Sequence, residues 1–117
     1  MTEKLRKLVY AKYNEHCAYC GSKIEYKDMQ VDHLYPKILH KDNNITSDVN
    51  RIENLMPTCR LCNHYKRAEV LDIYRNMLFT LTERLQKIYI VRVALRYGII
   101  TFHTWDKQFY FEKQQEE

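Results

Sequence analysis

The sequence predicts an α+β domain with a small zinc-stapled core and helices on either side. Three observations predict it. Four cysteines fall in two pairs, Cys17-Ala-Tyr-Cys20 and Cys59-Arg-Leu-Cys62, the spacing of two metal-binding knuckles. Two short extended runs, Met29–His33 and Asn54–Pro57, lie between the pairs, each closed by a nearby proline. Outside the pairs the chain has helical periodicity, in residues 3–15 and again from Ala68 onward.

The elements follow in chain order. Leu5, Leu8, Val9 and Tyr13 recur at helical spacing, with basic residues on the other faces, which predicts the first helix. Gly21 supplies the turn of the first knuckle. Met29–His33 reads as a strand that Pro36 helps to end. Residues 40–53 are polar and rich in Asn and Asp, a long loop. Thr58 is placed to cap a helix running through Cys62-Asn63-His64-Tyr65-Lys66-Arg67. Val70, Tyr74, Met77, Leu78, Leu81 and Leu85 form one apolar stripe over Ala68–Lys87, with a break at Thr80 or Thr82. Residues 88–97 read as a helix that Gly98 ends. Alternation near Gln108–Glu112 suggests a terminal strand.

The 117 residues suit one domain, residues 1–117, with a core over about 15–68 and a helical extension over about 69–117. Hydrophobic residues make up 45%, enough for a core, though a chain this short commonly needs a staple. The net charge of +4 permits nucleic acid without demanding it. No apolar run approaches the roughly 20 residues that span a bilayer, and the N-terminus lacks signal-peptide character, so a cytoplasmic protein with no membrane partner is expected. In a reducing compartment the cysteine pairs are read as zinc ligands ahead of disulfides or free thiols.

Zinc between residues 20 and 59 would bring the end of the first strand near the start of the second knuckle's helix. Asp32 and Asn63 would then offer two hard oxygens to one ion, a set suited to Mg2+ or Mn2+. An imidazole such as that of His33 is the side chain suited to remove a proton from water near neutral pH. Asn54, on the returning strand, can bridge main-chain groups of the loop that follows His33. Lys66 and Arg67 stand one helical turn on, as phosphate contacts or as a solvated face. His16, His40 and His103 are read as plain surface or core histidines. The Val70–Leu85 stripe is core or a partner surface.

The string CAYCG, VDHLYP, NRIENLMPTCRLCNHYK resembles the zinc-knuckle HNH endonuclease family. Its pattern is C-x2-C, then D-H-x-x-P, then N-x-x-x-x-C-x2-C-[NH]-x-x-K, and every element is present in order over residues 17 to 66. The resemblance implies a ββα-metal core and a metal-dependent DNA endonuclease leaving 5′-phosphates. It implies His33 as general base, Asp32 and Asn63 as ligands of the catalytic ion, and Asn54 as the residue that keeps the loop in shape. Cys17, Cys20, Cys59 and Cys62 hold structural zinc in that pattern. His64, one residue beyond the last motif position, is the alternative ligand. The chain departs from the family in having no glycine from Lys37 to Asn50. The rival readings are a zinc-stapled nucleic-acid-binding module without turnover, and a protein-interaction module.

Overall fold

A computed structural model describes residues 1–36 and 50–114. The chain divides into two compact units, Met1–Leu71 with Gln108–Glu117, and Asp72–Lys107. The stretch expected as one extension, 69–117, is therefore split. Its middle forms the second unit and its last residues belong to the first.

In the first unit, α1 spans Glu3–Ala11, opened by Thr2, whose hydroxyl accepts from the Leu5 N–H at 3.1 Å. It stops short of residue 15 because Asn14 and Glu15 take left-handed φ values of 54° and 69°. Val9 is buried against Ile24, Met29 and Leu55, with Leu5 and Tyr10 packed beside them. Leu8, part of the expected stripe, is exposed. The Lys12 ammonium donates to the carbonyls of Ile52 at 2.6 Å and Leu55 at 2.8 Å, and burial pulls its pKa down. Those bonds fasten the end of α1 to the chain that enters the second strand.

β1 (Gln30–His33) pairs antiparallel with β2 (Leu55–Thr58), in the register Gln30 to Thr58, Val31 to Pro57, Asp32 to Met56 and His33 to Leu55. A short helix, α2 (Arg60–Lys66), follows β2 directly. Its cap is Cys59, not Thr58: the Cys62 N–H donates to the Cys59 Sγ at 3.4 Å, while Thr58 is a fully buried strand residue. The sulfur of a metal knuckle takes the place of the capping hydroxyl.

The expected terminal strand is instead a short helix, α6 (Tyr110–Gln114). Its leading N–H groups pair with the first knuckle rather than with a third strand: Tyr110 donates to the Tyr19 carbonyl at 3.1 Å and Phe111 to that of Ala18 at 2.8 Å. Gly21 is fixed by this packing. Its φ is +80°, and a Cβ there would stand 2.7 Å from the Tyr110 ring.

Helix α3 (Leu71–Phe79) leads into the second unit, which continues with α4 (Leu81–Leu85) and α5 (Tyr89–Arg96). The break falls at Thr80, whose hydroxyl donates back to the Asn76 carbonyl at 2.9 Å. Helix α5 ends in a Schellman turn: Ile99 N–H reaches the Ala94 carbonyl and Gly98 N–H that of Leu95, with Gly98 at φ +71°. No helix among the described residues is long and apolar enough to cross a membrane.

Candidate functional site

The two knuckles converge. The Sγ atoms of Cys17, Cys20, Cys59 and Cys62 all lie within 4.8 Å of one another, and none is in a disulfide. Cys20 and Cys59 are 3.8 Å apart, sulfur to sulfur. Four sulfurs about 2.3 Å from a tetrahedral zinc lie about 3.8 Å apart, whereas a disulfide brings them to about 2.05 Å. Such crowding sets the thiols against each other. The bond with Cys20 pushes Cys17 up to about 11, while Cys62 is raised by Cys17, and Cys20 is drawn down by Cys17. A divalent cation is the counter-charge that lets all four ionise, so the donor set fits zinc. Each sulfur facing solvent also receives a backbone N–H, Ser22 onto Cys20 at 3.5 Å and Cys62 onto Cys59.

Beside the cysteine cluster, α2 lies along β1. Gln30 and Asp32, two apart on the strand, point to the same side of the pleat. Asn63 and Lys66, three apart on the helix, share a face. They match as two rungs. Asn63 Nδ2 donates to Gln30 Oε1 at 2.6 Å, and the Lys66 ammonium meets Asp32 Oδ2 at 2.9 Å. Tyr19, held between Cys17 and Cys20, donates its hydroxyl to the same Asp32 oxygen at 2.6 Å. The Lys66 side chain is 0% exposed and that of Asp32 8%.

This seam brings Asp32 and Asn63 to one side of the strand. These bonds use Oδ2 of Asp32 and the amino group of Asn63, not Oδ1 of the one or the carbonyl oxygen of the other. Two such oxygens fit Mg2+ or Mn2+, which keep several waters beside one or two protein ligands. His64 is exposed.

His33 falls on the other side of the pleat. Its Nε2 lies 2.8 Å from the Asn50 Oδ1, and its carbonyl accepts from Lys66 at 3.4 Å. Asn54 holds the turn after His33 at three points. Its Oδ1 accepts from Tyr35 N–H at 2.7 Å, its Nδ2 donates to the Tyr35 carbonyl at 3.1 Å, and its own carbonyl accepts from Leu34 N–H at 2.9 Å.

One expectation needs correcting. Lys66 does not present its charge to solvent for a phosphate; it is sealed in the ion pair with Asp32, because the carboxylate opposite it on β1 needs a buried counter-charge. Arg67, at the end of α2, is exposed. His40 and most of the glycine-free loop after Pro36 lie outside the described residues.

Sequence reasoning missed three partners of the motif residues, Tyr19, Gln30 and Asn50. Tyr19 sits inside a Cys-x2-Cys pair, where the cysteines draw all the notice. Asn50 is one of several asparagines in a polar stretch, and nothing in its type marks it.

Residues 17–69 match the family model of the HNH endonuclease. That is the stretch in which the motif resemblance was drawn. Among solved structures the chain is similar to the crystal structure of the Type II-C Cas9 enzyme from Actinomyces naeslundii, at 27% identity and a TM-score of 0.50. The match covers 62% of this chain and 8% of that one, so this chain spans a small part of that enzyme's length. No curated protein matches. Together the family match and the structural neighbour support a nuclease-type function.

Proposed function

We propose that the protein is an endonuclease that hydrolyses phosphodiester bonds in DNA with the help of one divalent cation. The observation that carries this is the seam between β1 and α2, which sets a carboxylate and an amide oxygen on one side of the strand that ends at His33. Asp32 and Asn63 would hold the cation, Mg2+ or Mn2+, which would offset negative charge gathering on the phosphate and on the leaving 3′ oxygen.

The chain's own groups do the rest. The Asn50 carbonyl oxygen can only accept, so Nε2 of His33 carries the proton and Nδ1 keeps its lone pair. Nδ1 can then take a proton from a water placed to attack phosphorus. Asn54 keeps the turn that carries His33 in shape through Tyr35 and Leu34. Tyr19 and Lys66 fix the rotamer of Asp32 and leave one of its oxygens for the cation. Products ending in 5′-phosphate are part of this reading.

A second reading is a zinc-stapled nucleic-acid-binding module without turnover. Lys66 favours it, because an internal cation already neutralises Asp32. One assay separates the two. Supercoiled plasmid should be nicked or cut in Mg2+ or Mn2+ and left intact in chelator, and His33→Ala should lower the rate about 10²–10⁴-fold, the usual worth of a positioned base. A metal-loaded, folded protein that never cuts would decide for the silent module.

A further inference from the structure

With Lys66 buried, the cationic surface that meets a polyanion has to be sought elsewhere, and the second unit carries one. From Arg84 to Trp105 the chain has four basic residues and no acidic one. An ordinary solvated helix interleaves both signs and pairs them at i, i+4. Here Lys87, Arg92 and Arg96 are exposed, and among the described residues none of the three is paired with a carboxylate.

Their placement is ordered. Tyr89, Arg92 and Arg96 stand at i, i+3 and i+7 on α5, one face of the helix. Tyr89 is 73% exposed, and Tyr97, just past the helix, 77%. The Arg92 guanidinium lies 5.8 Å from the centre of the Tyr89 ring, which steadies it in the open. Val91, Val93, Ala94 and Leu95 are half-buried, whereas Ile90 is exposed like the basic residues. The outward face thus offers planar guanidinium forks and phenol hydroxyls, the groups that bind phosphates along a nucleic-acid backbone without reading bases.

We infer that the outward face of α5, centred on Tyr89, Arg92 and Arg96, binds the phosphate backbone of duplex DNA independently of sequence. The inference rests on the nucleic-acid half of the proposed function and not on its hydrolytic half.

The test therefore measures binding without cleavage. Full-length zinc-loaded His33→Ala protein is titrated against a fluorescent duplex of arbitrary sequence at several salt concentrations. Arg92→Ala with Arg96→Ala in that background should flatten the plot of log affinity against log salt by about 1.8, roughly 0.9 per lost phosphate contact. Arg92→Lys with Arg96→Lys should keep most of the slope, which excludes a folding artefact. An unchanged slope in the alanine pair overturns the inference. So does an alanine pair that binds DNA normally but no longer floats with phosphatidylserine vesicles, which would make the face a membrane contact. Loss of a dimer in Tyr89→Ala by sedimentation, with DNA binding intact, would overturn it in favour of a second copy of the chain. Failure of plasmid cleavage, by contrast, leaves this result standing.

Discussion

Replacing Lys66 with methionine isolates the energetic role of the seam. The substitution keeps the length of the unbranched stem and removes only the charged head, so little cavity opens. What it leaves behind is Asp32, 8% exposed, with its ion-pair partner gone and only the Tyr19 hydroxyl on Oδ2. Removing one member of a buried pair costs about 3–5 kcal/mol. That is roughly a 10²- to 10⁴-fold shift in the folding constant, set against a total of about 5–15 kcal/mol for a whole domain. Urea unfolding in the presence of zinc should show the midpoint fall at an unchanged m-value. The penalty should persist at 1 M NaCl, since salt does not reach a sealed pair. Adding Asp32→Asn should recover much of it, because the stranded charge is then gone. A loss below about 1 kcal/mol, or one that disappears in high salt, would refute the buried-pair argument and return Lys66 to the solvated surface.

Cys59→Ser should lose the single zinc per chain and most far-ultraviolet circular dichroism, because structural zinc contributes on the order of 10 kcal/mol to folding in small modules; metal analysis and the spectrum check both. Asn54→Ala removes both side-chain bonds to Tyr35 and should cost about 1–3 kcal/mol, seen as faster hydrogen exchange at the Leu34 and Tyr35 amides. Asn50→Ala should let the His33 ring change tautomer, visible in its nitrogen chemical shifts, and should lower kcat up to about tenfold with little change in KM.

The parts of the molecule that were legible in the sequence are those fixed by short covalent spacing. Two Cys-x2-Cys pairs can serve one tetrahedral ion in few ways, and that alone brings β2 and α2 toward the first knuckle. Asn54 was legible because a strand returning antiparallel to the first brings the residue before Leu55 opposite the turn after His33. Lys66 was not, because a lysine reads the same whether solvated or buried. Its fate is decided by Asp32, distant in sequence and opposite in space. The ending failed for a different reason. Phe109 and Phe111 alternate with Tyr110 as a strand would, but one turn of helix can also bury two such rings, and the amides of Tyr110 and Phe111 pair with the first knuckle rather than with a strand. No glycine or proline marks the boundaries at Asp72 and Lys107, so the division into two units left no signal in composition.

The zinc cluster and the Asp32 seam form one construction. Tyr19 lies between Cys17 and Cys20, so a metal closing the first knuckle would also set the direction of the hydroxyl that meets Asp32. Lys66 lies one turn beyond Cys62 on α2, a helix whose cap is the Cys59 sulfur, so the same metal would set the start of the helix that carries the ammonium. Ala18 adds a main-chain tie, its N–H donating to the Pro57 carbonyl of β2 at 2.8 Å. Both partners of Asp32 therefore come from chain segments that a zinc ion on the four cysteines would order, and neither segment is long enough to hold its shape alone: one is a knuckle turn and the other a seven-residue helix, well below the length at which a free helix is stable in water. A carboxylate buried between two such segments is only as well placed as the metal that ties them. A structural ion at the four cysteines would thus serve the positioning of the candidate site as much as the stability of the fold.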